Sequence, residues 1–172
     1  MKIAFPQTSS QILRGDVLLD VMRQFAYAKK ISQLVVVSPW ITPWQELPSF
    51  SWWIEEIYKR NLRTTVITRT PTIPAHLNAL KALARNEKTR VYLNDSVHAK
   101  IIACPGPFPW GFGVVGSANI TSNSLNQLEI AIMVLARSGG DGIIKELAFI
   151  GDNYLRSHID TKSFKESDYR GF

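Results

Sequence analysis

Cysteine is almost absent from this sequence, which has only Cys104 among its 172 residues. A single cysteine excludes an intrachain disulfide and favours a reducing compartment. Long apolar runs are also missing. No segment approaches the ~18 apolar residues of a membrane-spanning helix, and the first residues lack the apolar run of a signal peptide. We therefore expect a soluble, cytoplasmic protein with no stable membrane association.

Acidic residues are the scarcer charged class. The sequence has 20 Lys and Arg residues against 14 Asp and Glu, which gives a net charge of +6. A positive excess suits a polyanion such as nucleic acid, or an anionic membrane surface, although many soluble proteins are this basic without a dedicated partner. With 45% hydrophobic and 20% charged residues, the composition is that of a folded globular chain. We expect residues 1–172 to form one domain.

Helical and extended patterns alternate along the chain. Apolar residues at helical spacing predict helices over 10–30, 51–60, 74–85 and 141–157. Apolar runs of strand length predict strands over 33–40, 62–70, 90–93, 97–102 and 128–135, and the runs at 34–37 and 128–135 are typical of strands buried on both faces. This alternation predicts an α/β fold, with helices layered on a central sheet.

The stretch from residue 97 to residue 129 carries the candidate chemistry. His98 and Lys100 lie in one predicted strand, whose alternation would place both side chains on one face, about 6.5 Å apart. A nucleophile or proton carrier would then sit beside a fixed positive charge. Gly116, Ser117 and Asn119 follow another apolar run and offer an open backbone, a hydroxyl and an amide, which suit an oxyanion.

Loops at the carboxyl ends of predicted strands supply further candidates. Trp40 and Trp44 could stack on a base, as aromatic residues do in single-strand binders, or close the edge of the core, and we favour the second interpretation. Arg69 could reach a phosphate, but we favour a solvated surface arginine. Trp40 and Arg69 are kept as candidate substrate-binding residues. His76 is expected to be exposed in a first helical turn, and His158 is expected to end the last helix, where a cation meets the helix dipole.

The motifs His98-x-Lys100 and Gly116-Ser117-x-Asn119 resemble the signature of the phospholipase D superfamily, and Glu129 stands where that superfamily often has an acidic residue. The superfamily includes phospholipases, phospholipid synthases, metal-independent nucleases and tyrosyl-DNA phosphodiesterases. The resemblance implies a layered α-β-α sandwich with a mixed, mostly parallel central sheet. It also places Gly116 at the substrate.

The sequence departs from the superfamily pattern in two ways. An Asp usually follows the motif lysine, and Pro105 stands in its place here. The segment between Lys100 and Gly116 is also longer than usual and contains a loop rich in proline, glycine and aromatic residues. We interpret the missing Asp as a change in turn structure, because Asp often caps a turn through its side chain. If that Asp instead supports the site, the chain would be inactive.

Hydrolysis of a phosphodiester needs a nucleophile, donors for the phosphate oxygens and an acid for the leaving oxygen. His98 could form a phosphohistidine, while Lys100, Ser117 and Asn119 neutralise the phosphate. Glu129 could hold the other nitrogen of a histidine. Since the chain carries one signature and the superfamily site needs two, the resemblance implies a homodimer in which two copies of His98 meet across a two-fold axis. No metal or other cofactor is expected, because four good metal ligands are absent.

Three functions are compatible with this pattern. The favoured one is a metal-independent nuclease, acting on DNA rather than RNA. The second is a phospholipid phosphodiesterase or transferase, in which the aromatic loop at 108–110 dips into a membrane interface. The third is an inactive nucleic-acid-binding subunit, which the Pro105 substitution and the lengthened loop motivate.

Overall fold

The computed structural model of the protein describes residues 9–136 and 142–169, which are built around one eight-stranded sheet. In chain order the strands are β1 (Ser9–Gly15), β2 (Gln33–Val37), β3 (Arg63–Thr68), β4 (Thr89–Leu93), β5 (Ile101–Cys104), β6 (Phe112–Gly116), β7 (Glu129–Leu135) and β8 (Lys162–Ser163). Their order across the sheet is β1-β7-β6-β5-β2-β3-β4-β8.

Helices cover both faces of the sheet. They are α1 (Val17–Tyr27), α2 (Phe50–Lys59), α3 (Pro74–Ala84) and α4 (Gly142–Phe149), and α4 continues into a π-helical segment at Ile150–Leu155. Two short 3₁₀ helices span Ser122–Asn126 and Glu166–Tyr169. None of the described helices combines the length and the apolarity needed to cross a bilayer.

Side chains of the central strand β2 divide the core into two layers. Leu34 and Val36 pack with the buried residues of α1, α2 and α3. Val35 and Val37 point the opposite way and pack with α4 and the π-helical segment. Because neighbouring residues of a strand face opposite sides, a strand covered on both sides must be apolar throughout. The predicted α/β sandwich with a mixed sheet is therefore confirmed.

The direction of most strands differs from the prediction. Only the β2–β3 and β3–β4 ladders of the described sheet are parallel, and the other five are antiparallel. The expectation of a mostly parallel sheet is wrong because the second half of the chain lacks crossover helices. β5, β6 and β7 follow one another through loops, and such connections produce antiparallel neighbours.

The predicted helix over 10–30 is two elements. Residues 10–15 belong to β1, which pairs with β7, and the helix begins only at Val17. Ile12 is exposed and Leu13 is buried, which is the alternation of a strand with one covered face. Gly15, whose φ is +76°, turns the chain between the two elements.

Two other burial predictions fail. The apolar spacing in the helix predicted over 141–157 turns Ile143 and Tyr154 toward the core, yet they are 53% and 67% exposed. For Tyr154 the reason is the π-helical segment, which changes the rotation of side chains around the axis, so the 3.6-residue period does not continue past Phe149. Ile130 and Ile132 of β7 are also exposed, so this strand is not buried on both faces. The predicted start of the last helix, at residue 141, lies outside the described residues.

Large aromatic and sulfur-containing side chains fill the layer below α1 and α2. Trp44 is buried and donates its Nε1–H to the carbonyl of Pro48 at 2.8 Å. The interpretation that Trp44 closes the edge of the core is therefore confirmed. Cys104 is fully buried at the end of β5, and burial raises the pKa of its thiol well above the usual value, while the charge of Arg60 acts in the opposite direction.

Asp152 attaches the π-helical segment to the sheet. Its Oδ1 accepts from the Thr65 hydroxyl at 2.7 Å, and its Oδ2 accepts from Gln33 at 3.1 Å and from Arg63 at 2.8 Å. Only 13% of the Asp152 side chain is exposed. One carboxylate therefore joins α4's continuation to both β2 and β3.

We expect Asp152→Ala to lower the free energy of unfolding by about 2–4 kcal/mol, because it removes charge-assisted bonds and leaves the buried Thr65 hydroxyl without a partner. Urea unfolding measures this change. Asp20→Ala is the matched control: it removes the exposed ion pair with Arg23, which is worth at most about 1 kcal/mol. Equal losses in the two variants would contradict the assigned role.

His76 is buried, so the expectation that it is exposed is wrong. It belongs to the face of α3 that packs on the sheet, with Leu80 and Leu83 one and two turns further on. Its Nε2 lies 3.0 Å from the Thr68 hydroxyl, and its Nδ1 has no hydrogen-bond partner among the described residues. Burial lowers the pKa of His76 to about 4.

This pKa predicts a pH-dependent stability. The pKa of His76 is about 4 in the folded chain and 6.5 in the free side chain, so the unfolded chain takes up the proton first. Stability that is present above pH 6.5 should fall as the pH drops toward 4, by up to about 3 kcal/mol. Urea midpoints measured across this window should fall less steeply for His76→Gln. Identical slopes in the two proteins would contradict the prediction.

Candidate active site

Strand ends gather the signature residues at one edge of the sheet. Ile101, which begins β5, pairs with Val115 of β6, and Gly116, which ends β6, pairs with Ala131 of β7. Because adjacent antiparallel strands run in opposite directions, the start of β5, the end of β6 and the start of β7 coincide. Val37, the end of β2, lies opposite Ile101 at the same edge.

His98 and Lys100 precede β5 and do not belong to it, so the predicted strand over 97–102 begins only at Ile101. The turn before them is closed by the Asn94 side chain, which accepts from the Ser96 N–H at 2.9 Å. His98 is exposed and Lys100 is half-buried. The Lys100 ammonium donates to the His98 carbonyl at 2.9 Å, which holds the charge beside the imidazole-bearing residue.

Ser117 is fixed by the neighbouring strand. Its hydroxyl donates to the buried Glu129 carboxylate and accepts from the Ile130 N–H at 3.1 Å, while its own N–H donates to the Ile130 carbonyl at 3.0 Å. A hydroxyl has one proton to donate, so Ser117 as it stands cannot also donate to a phosphate. Glu129 contacts Ser117, and no contact with His98 is found in the described part of the chain, so the expected carboxylate–histidine contact is not formed within one copy.

Gly116 is required by the close approach of β6 and β7. A Cβ added there would clash with the Ala131 side chain and lie 2.7 Å from the Ile130 carbonyl oxygen. Only glycine therefore fits, and the Gly116 N–H donates to the Lys100 carbonyl at 3.2 Å. This residue ties the lysine segment to the segment that carries Ser117 and Asn119.

Asn119 has an unfilled hydrogen-bonding capacity. Its Oδ1 is buried and has no partner among the described residues. The next residue, Ile120, forms a bridge with Ile41 of the loop after β2, and its carbonyl accepts from the Thr42 N–H at 2.9 Å. Asn119 is thus held on backbone that is fixed from both sides, and its Oδ1 is left unpaired by the described residues.

Arg69 is anchored beside His98. Its side-chain Nε–H donates to the Val97 carbonyl at 2.9 Å, and its backbone N–H donates to the Pro39 carbonyl at 3.3 Å. The side chain is half-buried, so the favoured interpretation of a freely solvated arginine is wrong. No acidic partner for Arg69 is found in residues 9–136 and 142–169, and its charge adds to that of Lys100.

Trp40 borders the same edge. It is half-buried, and its ring meets His76 edge-on with 5.4 Å between centroids. One wall of the groove next to it is Asn119. The structure therefore brings together His98, Lys100, Ser117, Asn119 and Glu129, with Trp40 and Arg69 beside them.

Sequence reasoning missed three residues near this edge. Asn123 and Gln127 face the groove beside Trp40; the run of amides and hydroxyls at 121–127 is a signal that could have revealed them. Arg14 lies opposite Ile130 in the β1–β7 ladder and is exposed. The helix predicted over 10–30 concealed Arg14, because a strand at residues 10–15 is needed to bring it opposite Ile130.

The aromatic loop lies at the opposite edge of the sheet. β5 begins next to Lys100 and ends at Cys104, and the loop starts directly after that end. Pro105, which replaces the usual Asp, accepts from the Ser32 N–H at 2.9 Å and from the Ser32 hydroxyl at 3.0 Å. The departure at Pro105 is therefore a change in a turn one strand length away from His98.

Comparisons with known proteins agree with this architecture. No protein-family model and no curated protein sequence matches the chain. Among solved structures, the phospholipase D family member Nuc from Salmonella typhimurium superposes with a TM-score of 0.67 at 13% identity, over 92% of this chain and 99% of Nuc. NucT from Helicobacter pylori superposes with a TM-score of 0.66 at 11% identity, over 92% of this chain and 100% of NucT.

A phosphatidylserine synthase from Haemophilus influenzae is also similar. It superposes with a TM-score of 0.61 at 13% identity, over 94% of this chain but only 41% of the synthase. Identities this low establish a shared fold and nothing finer. The chain therefore has the phospholipase D fold, as the His98-x-Lys100 and Gly116-Ser117-x-Asn119 motifs implied.

Proposed function

We propose that the protein is a metal-independent phosphodiesterase that hydrolyses nucleic acid, DNA in preference to RNA, in a site shared by two copies of the chain. One observation carries the proposal. The edge of the sheet that gathers His98, Lys100 and Asn119 supplies a single imidazole, since His76 is buried and His158 lies beside Asp160. This arrangement is half of a two-histidine site.

In the first step, the neutral His98 imidazole attacks phosphorus and forms a P–N bond, while the bond to the leaving oxygen breaks. Lys100 and the Asn119 amide stabilise the charge that builds on the phosphate oxygens. Arg69, which is fixed next to His98, adds a second positive charge. Ser117, with its proton held by Glu129, positions the segment that carries Asn119.

The leaving oxygen needs a proton, and the second copy of His98 supplies it as an imidazolium. That copy is then neutral and accepts a proton from water. The resulting hydroxide attacks phosphorus, the P–N bond breaks, and both imidazoles return to their initial states. One copy of His98 is thus the nucleophile, the other copy acts first as the acid and then as the base, and no metal ion takes part in either step.

An exposed apolar face on β1, β7 and β6, the first three strands in the order of the sheet, supports the proposal of a second copy. Ile12, Ile132 and Val115 stand side by side across β1, β7 and β6, and they are 62%, 53% and 44% exposed. Ile130, on the same face, lies next to Ser117. A contiguous apolar face on a soluble chain marks an interaction surface, and this one runs up to the half-site.

The fold weakens both alternatives. The lipid hypothesis relied on an aromatic loop that dips into a membrane, and this loop lies across the sheet from His98, with Trp110 packed 5.5 Å from Tyr27. The hypothesis of an inactive subunit relied on Pro105, which belongs to a turn at that same distant edge. The net charge of +6 favours a polyanionic substrate. So do Lys100 and Arg69 at the site, neither of which has a carboxylate partner among the described residues.

We expect His98→Ala to reduce cleavage of labelled DNA by at least about 10³-fold, because it removes both the nucleophile and the acid. His158→Ala, which removes an exposed imidazole elsewhere, should keep full activity. The wild-type protein should cut equally well in excess EDTA, since the described residues contain no group of three or more His, Cys, Asp or Glu side chains placed to hold a metal. Loss of cutting in EDTA would overturn the proposal.

We expect Ile132→Lys to convert a dimer to a monomer in light scattering and to abolish cutting, because a lysine would bury an unpaired charge in the apolar contact. Ile159→Lys is the matched control, since Ile159 is 92% exposed and lies outside this face.

A mixture of wild type refolded with an equal amount of His98→Ala should have about one quarter of the activity of the same total amount of wild type, because only dimers with two imidazoles work. Retention of about one half would indicate independent chains.

A further inference from the structure

An open groove adjoins the half-site at the carboxyl ends of β2 and β3. Its volume is about 320 Å³, and its walls come from the loop after β2, the residues before α3 and the segment after β6. Asn119 is the wall that the groove shares with the half-site. We call it the Trp40 groove; its other main contributors are Trp40, Ile73, Thr121, Asn123 and Gln127.

Within the part of the chain that the structure describes, no charged side chain lines the Trp40 groove. Its walls carry one indole, one exposed isoleucine, hydroxyls and amides. Without a cation, the groove attracts a phosphate less strongly than the Lys100 side does, so it suits an uncharged group better than the backbone of a polyanion. An indole face and amide groups fit an uncharged heterocycle, since amides can pair with base edges and aromatic rings stack on base faces.

The groove residues are positioned but not fully bonded. The Ile41–Ile120 bridge holds the two walls together, and the Thr42 hydroxyl accepts from the Ser122 N–H at 3.3 Å. Asn123 and Gln127 are exposed, and their side chains form no hydrogen bond with other described residues. The buried Oδ1 of Asn119 also lacks a partner within the described chain. The exposed amides of Asn123 and Gln127 are therefore the groups that can bond to a ligand in the groove.

Charge is segregated between the two neighbouring sites. Lys100 and Arg69 lie on the His98 side of Asn119, and the Trp40 groove lies on its other side. A nucleotide has the same division, with an anionic phosphate joined through a sugar to a neutral base. The cations would therefore lie at the phosphate of one nucleotide, and the Trp40 groove would lie at its base.

We propose that the Trp40 groove binds the nucleobase adjoining the scissile phosphate, and that the substrate is consequently single-stranded nucleic acid. This inference rests on the proposed function, because it takes the phosphate to lie at His98. A base that is stacked and paired in a duplex cannot reach a groove lateral to the phosphate site unless it leaves the helix, which costs free energy. A single strand presents its bases without that cost.

The test is binding in the non-cleaving His98→Ala background, measured by fluorescence anisotropy. The probes are a labelled oligothymidylate and a strand of the same length made of abasic tetrahydrofuran units, which keeps the charge and removes the bases. We expect the oligothymidylate to bind at least about 10-fold tighter. Adding Trp40→Ala should bring the ratio close to one, whereas Trp40→Phe should largely keep it. A duplex of the same length should bind about as weakly as the abasic strand.

Phe108→Ala is the matched control, because Phe108 is a 52% exposed aromatic residue at the distant edge of the sheet, and it should leave the ratio unchanged. Thermal unfolding of the Trp40 variants checks that they fold without the contact between the Trp40 and His76 rings. Equal affinity for both probes in the parent protein, or equal loss for both in Trp40→Ala, would overturn the inference. Binding to phosphatidylglycerol vesicles should be measured as well. If Trp40→Ala weakens binding to these vesicles and leaves binding to the oligothymidylate unchanged, the inference is also overturned.

Failure of this inference can be told apart from failure of the proposed function. If the protein with His98 intact cuts DNA but binds abasic and base-containing strands alike, the groove assignment fails and the phosphodiesterase stands. If base-dependent binding is found and no nucleic acid is cut, the groove stands and the reaction assignment fails.

Discussion

The close pairing of β6 with β5 and β7 is the constraint on which the candidate site depends. Gly116 leaves no room for a side chain against Ala131, and this closeness allows the next residue, Ser117, to bond with Glu129 and Ile130. A ladder transmits position rigidly, because each hydrogen bond fixes the register of its neighbours. Residues that are 31 positions apart in the chain, from His98 to Glu129, are thereby brought to one edge.

The signature residues and the overall class could be predicted because their signals are local. A continuous apolar run such as 34–37 predicts a strand covered on both faces, and Leu34 to Val37 are indeed buried. Serine is a residue that favours the first position of a helix, and the Ser49 side chain before α2 accepts from the Trp52 N–H at 3.3 Å. The His98-x-Lys100 and Gly116-Ser117-x-Asn119 motifs are recognised by the spacing of their residues. That these residues share one site is implied by the resemblance.

Features that depend on distant partners could not be predicted. The Ile12–Leu13 alternation becomes a strand only because β7, more than a hundred residues later, provides an edge for it. His76 lies in a helical turn whose sequence does not reveal which face the sheet will cover. Ser117 looked like a free donor, because nothing in a sequence shows that a buried carboxylate will take its proton. In each case tertiary pairing, rather than local propensity, decides the outcome.

The burial of Cys104 has a consequence for the conditions under which this chemistry can operate. Thiols are oxidised through the thiolate, and a sulfhydryl that is sealed in the core and has a raised pKa offers almost none. The proposed reaction uses imidazole nitrogen as its nucleophile. Peroxide or disulfide stress that silences cysteine-dependent hydrolases would find no accessible sulfhydryl in this chain, so its turnover should be insensitive to thiol redox poise.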